Sequence, residues 1–409
     1  MRIVAERQLA IVLGALAGTP RVVVGGNFAT PWQALAVLDG VQARYRLFAL
    51  NAQAGMPNRE GVTFESPFVG PGMRGQSELH YFPCRLSLVP ALLSGVLLPD
   101  VVLVQTSAPS GGTVSLGTEV NVLPAAIEAA RSHGGLVIAQ LNPLVPYTYG
   151  DSVLPCDSID YAIEAEAPLA SPPERSIAET SASIGDRVAA LIGDGATLQA
   201  GIGAVPDAVL ARLHRRHGLA VWSEMFSDGV LGLAKAGALD PGQPVTGSFA
   251  FGSADLYAWM DRNPDVRMLR TETVNDPAQI ARRPRMTSVN GALQVDLLAQ
   301  ANATWVNARV HSGFGGQTDF VVGALHSPGG QAIIALRSWH PKADVSTVVP
   351  RIDGPVTSFQ HSYIVSEQGA AVIWGHDAPG QAEQIINHVA HPSVRERLRE
   401  EGRSLGLSA

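Results

Sequence analysis

Apolar positions in this chain follow one recurring pattern. Short, uninterrupted β-branched runs at 22–24, 101–104, 136–138 and 333–336 alternate with Ala/Leu-rich segments of helical character. Runs without polar interruption suit strands covered on both faces, and their alternation with helices predicts parallel, doubly wound α/β sheets. The opening MRIVAERQLAIVLGALAG is broken by Glu6 and Arg7 and leads into the strand-like RVVVGG, so it reads as an amphipathic first helix rather than a signal peptide.

Three anchors recur in the same order in the two halves. RVVVGGNFATPWQALAVL (21–38) parallels ATLQAGIGAVPDAVLARL (196–213): a strand, a glycine turn, then Pro31 or Pro206 opening a helix. VVLVQTSAPSGGTVSLG (101–117) parallels ATWVNARVHSGFGGQTDF (303–320), and GGLVIAQLN (134–142) parallels GGQAIIALRS (329–338). Between the halves, EAEAPLASPPERSIAETS (164–181) is rich in Pro, Ser and Glu and reads as a linker. The expectation is two related open α/β domains, 1–180 and 181–409. Their glycine loops and strand C-termini would converge on a ligand cleft.

The length of 409 residues supports two cores. With 46% hydrophobic and 16% charged residues, the chain is a well-buried globular protein. A net charge of −7 without any run of Lys or Arg argues against nucleic acid or an acidic membrane surface as partner. No apolar stretch approaches the ~20 residues of a membrane span. Cys84 and Cys156 form no CxxC pair, which argues against a zinc site or a disulfide framework and fits a reducing, cytoplasmic location.

Carboxylates and glycine loops are the remaining candidates for chemistry. GLAVWSEMFSDGV (218–230) reads as a buried strand ending at Ser223-Glu224. A carboxylate held there, partly dehydrated, could act as nucleophile or base, although a helix-capping or solvated glutamate fits the same pattern. Ser366-Glu367 repeats the arrangement, and periodicity does not choose between the two. Ser312-Gly313-Phe314-Gly315-Gly316-Gln317 offers backbone N–H groups that could face an anion or oxyanion, or simply turn the chain. Gly201-Ile202-Gly203 is a GxG without the rest of a dinucleotide fingerprint and suits helix–strand packing. Gly323, Gly329 and Gly330 could touch a phosphate-rich ligand or only punctuate a crossover. His311 and His361 lack metal-ligand spacing and read as buried, satisfied histidines. There is no GxSxG elbow, Walker loop or Cys-His pairing.

At this level of detail the chain resembles the acetyl-CoA hydrolase/transferase family. The resemblance is carried by SLG (115–117), GDS (150–152), DGATLQAGIGAVPDAV (194–209), SEMFSDGV (223–230), TGSFAFGS (246–253), VNDP (274–277), GFGGQTDF (313–320) and SEQGAA (366–371). It implies two related, open, mostly parallel α/β domains of the CoA-transferase type and a homodimer or homotetramer. It also implies coenzyme A as a substrate rather than a permanently bound cofactor, with acyl-CoA and small carboxylic acids as the partners. It assigns the nucleophile to Glu224, relegates Glu367 to a supporting position, gives Gly315 and Gly316 the oxyanion role and points Asn290 at the acyl oxygen. Gly201, Gly203, Gln317, Gly323, Gly329 and Gly330 become the candidate CoA contacts.

The implied reaction is transfer of CoA between a short-chain acyl-CoA and a free carboxylate through a glutamyl-CoA thioester. An acyl-CoA hydrolase and a CoA-binding homologue without turnover are the alternatives. Some positions depart from the family pattern. Thr347 and Gln360 stand where basic residues are common, Tyr147 and Tyr149 replace a frequent Arg and His, and Gln294 replaces a frequent glutamate. Altered phosphate contacts and an unusual acyl pocket are the expected consequences, with Lys342 and Arg351 still near the expected CoA region.

Overall fold

The computed structural model describes residues 1–173 and 177–407, so residues 174–176 of the expected linker lie outside the described residues. The chain divides into two compact units, each built on a parallel sheet.

The first unit comprises Met1–Pro172 together with Thr246–Val274. Its strands are β1 (Arg2–Ile3), β2 (Arg21–Val24), β3 (Tyr45–Phe48), β4 (Val62–Ser66), β5 (Leu79–Tyr81), β6 (Val101–Thr106), β7 (Leu136–Leu141) and β8 (Tyr161–Glu164). They lie in the order β1-β8-β7-β6-β2-β3-β4-β5, and every pairing is parallel. All six residues of β6 are buried, as a strand covered on both faces by crossover helices must be. Among those helices are α1 (Glu6–Gly14), α2 (Trp32–Val41) and α3 (Leu123–Ser132). The expected first helix is α1, and it buries Leu9 and Leu13, one turn apart on the same face.

The second unit comprises Pro173–Val245 and Asn275–Ala409. Its main sheet contains β9 (Thr197–Ala200), β10 (Ala220–Val221), β11 (Met286–Gly291), β12 (Gln331–Ala335), β13 (Tyr363–Ser366) and β14 (Gly369–Val372), in the order β10-β9-β11-β12-β13-β14. Only the β13–β14 hairpin is antiparallel. Helices α4 (Glu179–Ala190), α5 (Ala204–Arg212), α6 (Asp228–Lys235), α7 (Pro277–Ala281), α8 (Gln317–His326), α9 (Ala378–His388) and α10 (Arg395–Ser404) accompany it. Ile334, Ile364, Ala371, Ile385 and Leu398 form part of its core.

Both sheets share one topology. In chain order, β2, β3, β6, β7 and β8 of the first unit occupy the same relative places as β9, β10, β11, β12 and β13 of the second. The first and third anchors of the sequence repeat fall on these equivalent elements. The second does so only in part. Segment 303–310 folds into a small hairpin, Trp305–Val306 with Arg309–Val310, and the true counterpart of β6 is β11 at 286–291. What does correspond is the glycine-containing loop that follows in each half and leads into α3 or α8.

A single cut near residue 180 also needs correction, because Thr246–Val274 packs with the first unit. The backbone explains why. Val120 and Asn121 donate to Ser248 O at 2.9 and 3.2 Å, Thr271 N donates to Asn121 O at 3.0 Å, and Tyr257 OH donates to Ala170 O at 2.6 Å. These bonds tie 246–274 to groups of the first unit at 120–121 and 170.

Candidate active site

In the second unit the chain order reverses between β9 and β11, and parallel sheets present ligand crevices beyond the strand carboxyl ends at such a point. Three predicted residues lie at this edge. Gly201 and Gly203 follow β9, and a side chain at either would meet open space. Asn290 sits near the end of β11 and exchanges hydrogen bonds with Gln199 on β9: its Nδ2 donates at 3.1 Å and its Oδ1 accepts at 3.3 Å.

Glu224 follows β10 at the same edge, after the buried Val221, Trp222 and Ser223. Asn275 Nδ2 donates to its Oε2 at 3.2 Å, and the Gly316 N–H also donates to the carboxylate. Gly316 is the N-cap of α8, and Gly315 before it has φ of 55°, a conformation that glycine adopts without strain. A Cβ on Gly316 would fall on Glu224 Oε2 and Asn275 Nδ2, so only glycine allows the helix start to approach this closely.

Burial of the carboxylate raises the Glu224 pKa to about 7, and the negative field of Asp319, in the first turn of α8, adds to the rise. The hydrogen bonds from Asn275 and Gly316 oppose it. The residue retains partial solvent exposure although its carboxylate is enclosed by protein atoms. A glutamate in this setting is about half ionised at neutrality, and its carboxylate form is poorly solvated, a condition that favours nucleophilic attack.

The loop before α8 is anchored from behind. Gln317 Nε2 donates to Ser358 Oγ at 2.7 Å, and Ser358 Oγ lies 2.9 Å from His361 Nε2. His361 is fully buried, and desolvation pushes its pKa down to about 4, so the ring is neutral. Thr318 Oγ1 donates to Thr357 O at 2.9 Å, and Thr304 Oγ1 donates to Gly313 O at 3.1 Å.

These contacts correct part of the sequence reading. The Gln317 side chain is committed to Ser358 and is not offered to a ligand. Gly323 lies within α8 against Ile280 of α7, where any side chain would collide with that residue. Gly330 is pressed against Ala324 O and Ser327 beyond the last turn of α8, and Gly329, with φ of 68°, makes the turn into β12. Since α8 has 10 residues, these two glycines lie roughly 15 Å from the Gly316 end, at the strand amino edge. Their role is packing. Glu367, in the β13–β14 turn, accepts from Ser338 N and Oγ. Asn275 is the site residue that pattern reading missed. Its only trace in the sequence is the VNDP block, and nothing local pairs position 275 with position 224.

Among the described residues no group of three His, Cys, Asp or Glu side chains is placed to hold a metal, and no helix is long and apolar enough to cross a membrane.

Known proteins give this geometry a context. Residues 59–170 match the acetyl-CoA hydrolase/transferase N-terminal domain, and residues 252–402 match the C-terminal domain of the same description. The chain is 40% identical over 334 residues to the 4-hydroxybutyrate coenzyme A transferase of Clostridium kluyveri, covering 78% of this chain and 76% of that protein. Among solved structures, RipA from Yersinia pestis superposes with a TM-score of 0.92 at 28% identity, covering 99% of this chain and 98% of that one. The 4-hydroxybutyrate CoA-transferase of Porphyromonas gingivalis superposes with a TM-score of 0.82 at 30% identity, with the same coverage.

Proposed function

Since the chain belongs to the acetyl-CoA hydrolase/transferase family, we propose that it is a CoA-transferase acting between a short-chain acyl-CoA and a free carboxylate, with Glu224 as nucleophile. The observation that carries this reading is the enclosed Glu224 carboxylate held between Asn275 Nδ2 and the Gly316 N–H.

A Glu224 oxygen attacks the thioester carbonyl, the C–S bond breaks, and an acyl-glutamyl anhydride forms with CoA thiolate beside it. The thiolate attacks the glutamyl carbonyl and the first acid leaves as its carboxylate, so Glu224 now carries CoA as a thioester. A second carboxylate repeats the sequence in reverse, giving a new acyl-CoA and free Glu224. No net proton is consumed. Each addition places negative charge on a carbonyl oxygen, and backbone N–H groups at Gly315 and Gly316 are the donors assigned to it; losing one such donor typically costs ~10²–10³ in rate. Asn290 is the further side chain assigned to the acyl oxygen. Gly201 and Gly203 border the path of the substrate, where the absence of side chains leaves room.

The expected setting is a reducing, cytoplasmic compartment, consistent with two free cysteines, and the expected assembly is a homodimer or homotetramer.

The test incubates the purified protein with acetyl-, propionyl-, butyryl- and succinyl-CoA and a panel of free carboxylates, followed by mass spectrometry. A new acyl-CoA at constant total thioester, lost in Glu224→Ala, supports transfer. Release of free CoA at the same rate without acceptor makes the protein a hydrolase. CoA binding without turnover, unchanged by Glu224→Ala, makes it a binding protein.

A further inference from the structure

Behind the loop that carries Gly316 runs a chain of three buried side chains. Gln317, the first residue of α8, donates from Nε2 to Ser358 Oγ at 2.7 Å, and Ser358 Oγ lies 2.9 Å from His361 Nε2. The three residues are 8%, 2% and 0% exposed, so water has little access to either bond.

The donors and acceptors available fix the direction of this chain. An amide nitrogen only donates, so Ser358 Oγ accepts from Gln317 and its single hydrogen is left for His361 Nε2. Nε2 can accept only from a ring whose proton sits on Nδ1. Burial supplies the neutral ring and outweighs the Ala299 carbonyl, which favours the charged form. A charged ring would donate from both nitrogens and leave the Ser358 hydrogen without this acceptor. The backbone turns sharply between Ser358 and His361, where Gln360 has φ of 62°, a region that residues other than glycine seldom enter. Strain of this kind persists where the surrounding structure fixes it.

Segment 357–361 therefore serves as a fixed plate. Thr357 N and Ser358 N both donate to Ala301 O, at 2.8 and 3.2 Å, and Thr357 O accepts from Oγ1 of Thr318, the second residue of α8. The first two side chains of α8 are both tied to this plate, and the residue before them is Gly316, whose N–H donates to Glu224.

We infer that His361 is a positioning residue for the nucleophile: as the last acceptor of the chain Gln317, Ser358, His361, it holds the first turn of α8 so that the Gly316 N–H stays aimed at the Glu224 carboxylate. The inference rests on the CoA-transferase reading above. A backbone donor of this kind gains most when charge develops on the oxygen it faces, so a misaimed N–H slows the chemical step more than it weakens thioester binding.

The experiment compares wild type, His361→Leu, His361→Gln, Ser358→Ala and the double variant Ser358→Ala/His361→Leu, with circular dichroism and Tm as folding controls. Leucine fills much of the space of the ring without an acceptor, whereas glutamine offers Oε1 in the place of Nε2. The first readout is the single-turnover rate of glutamyl-CoA formation, counted per molecule able to form the adduct, so that a smaller active fraction is not mistaken for a slower step. It should fall roughly 10-fold in His361→Leu and in Ser358→Ala, the size expected for one hydrogen bond, with the KM for acyl-CoA within about two-fold of wild type. The double variant should be no slower than either single one, because both substitutions cut the same chain. His361→Gln should regain most of the rate. The second readout needs no turnover: NMR of protein labelled with 15N-glycine follows the Gly316 amide as Glu224 titrates. Since this N–H favours the ionised carboxylate, the midpoint should move to higher pH in His361→Leu and Ser358→Ala and return in His361→Gln.

Unchanged rates and midpoints in folded His361→Leu and Ser358→Ala, or a His361→Gln variant as impaired as His361→Leu, overturn the inference and leave the transferase reading intact. If His361→Leu does not fold, Ser358→Ala decides by the same two readouts. If wild type turns over no thioester, the transferase reading falls and the midpoint alone decides the positioning role: a shift in His361→Leu that His361→Gln reverses supports it, and an unmoved midpoint removes it.

Discussion

Asn275 Nδ2 donates to Glu224 Oε2 across 3.2 Å, although the two residues are 51 positions apart in the chain. The bond favours the ionised form of Glu224 and opposes the burial that lifts its pKa to about 7. Asn275→Ala should therefore raise that pKa further. Because attack requires the carboxylate, the acid limb of kcat/KM should move to higher pH by about 1 unit, the shift expected from losing one charge-assisted hydrogen bond. A limb that stays in place, with activity reduced equally at all pH values, would assign Asn275 to something other than the ionisation of Glu224.

Burial of Glu224 also has a consequence for stability. Its folded pKa of about 7 exceeds the unfolded value near 4.5, so proton binding stabilises the fold below pH 4.5. That contribution is lost as pH rises through 7, leaving a penalty of at most about 3 kcal/mol, less whatever the partial exposure of the residue relieves. Glu224→Gln removes the charge while keeping the shape. It should melt above wild type at pH 8, match it near pH 4.5, and be inactive. Equal melting temperatures at both pH values would mean that the carboxylate is solvated.

Gly316 allows the start of α8 to reach Glu224. In Gly316→Ala the added methyl would occupy the space of the carboxylate and of the Asn275 amide. Turnover should fall ~10²-fold or more, as for loss of an oxyanion donor. The glutamyl-CoA adduct detected by mass spectrometry should fall with it, whereas the fold, anchored by Thr304, Thr318 and Gln317, should persist. A fully active Gly316→Ala would separate this loop from the chemistry.

The first unit holds a buried carboxylate of its own. Glu119 Oε1 accepts from Gly26 N at 3.1 Å, Asn27 N at 3.2 Å, Asn27 Nδ2 at 2.9 Å and Asn121 Nδ2 at 3.1 Å, fixing the turn after β2, while burial raises its pKa. Glu119→Gln retains an acceptor and should cost about 1 kcal/mol. Glu119→Ala leaves several donors without a partner and should cost roughly 3 kcal/mol or more. Urea unfolding of both variants tests the difference, and equal losses would contradict it.

Features with a local cause could be read from the chain. Uninterrupted apolar runs marked β2, β6, β7 and β12, because a strand covered on both faces has no polar side. The repeated strand, glycine turn and proline-led helix marked the equivalence of the two units. Glu224 was visible as a polar residue directly after a buried strand, but its preference over Glu367 came from family resemblance and not from periodicity.

Tertiary structure decided the rest. Strand pairing is a long-range relation, so the sequence did not reveal that 286–291 rather than 303–310 stands beside β9, nor that 246–274 returns to the first unit to satisfy backbone groups at 118–121. The sequence offered Gly316 to an oxyanion and Gly323 and Gly330 to a phosphate-rich ligand, each with a plain turn or crossover as the other reading. Only their neighbours distinguish a carboxylate at the first from an isoleucine at the second and a helix carbonyl at the third. The sequence by itself determined two parallel α/β units and a glutamate at a strand end. The raised pKa of that glutamate, and the asparagine that donates to it, arise from burial and contact between segments far apart in the chain, which exist only once the second unit has folded.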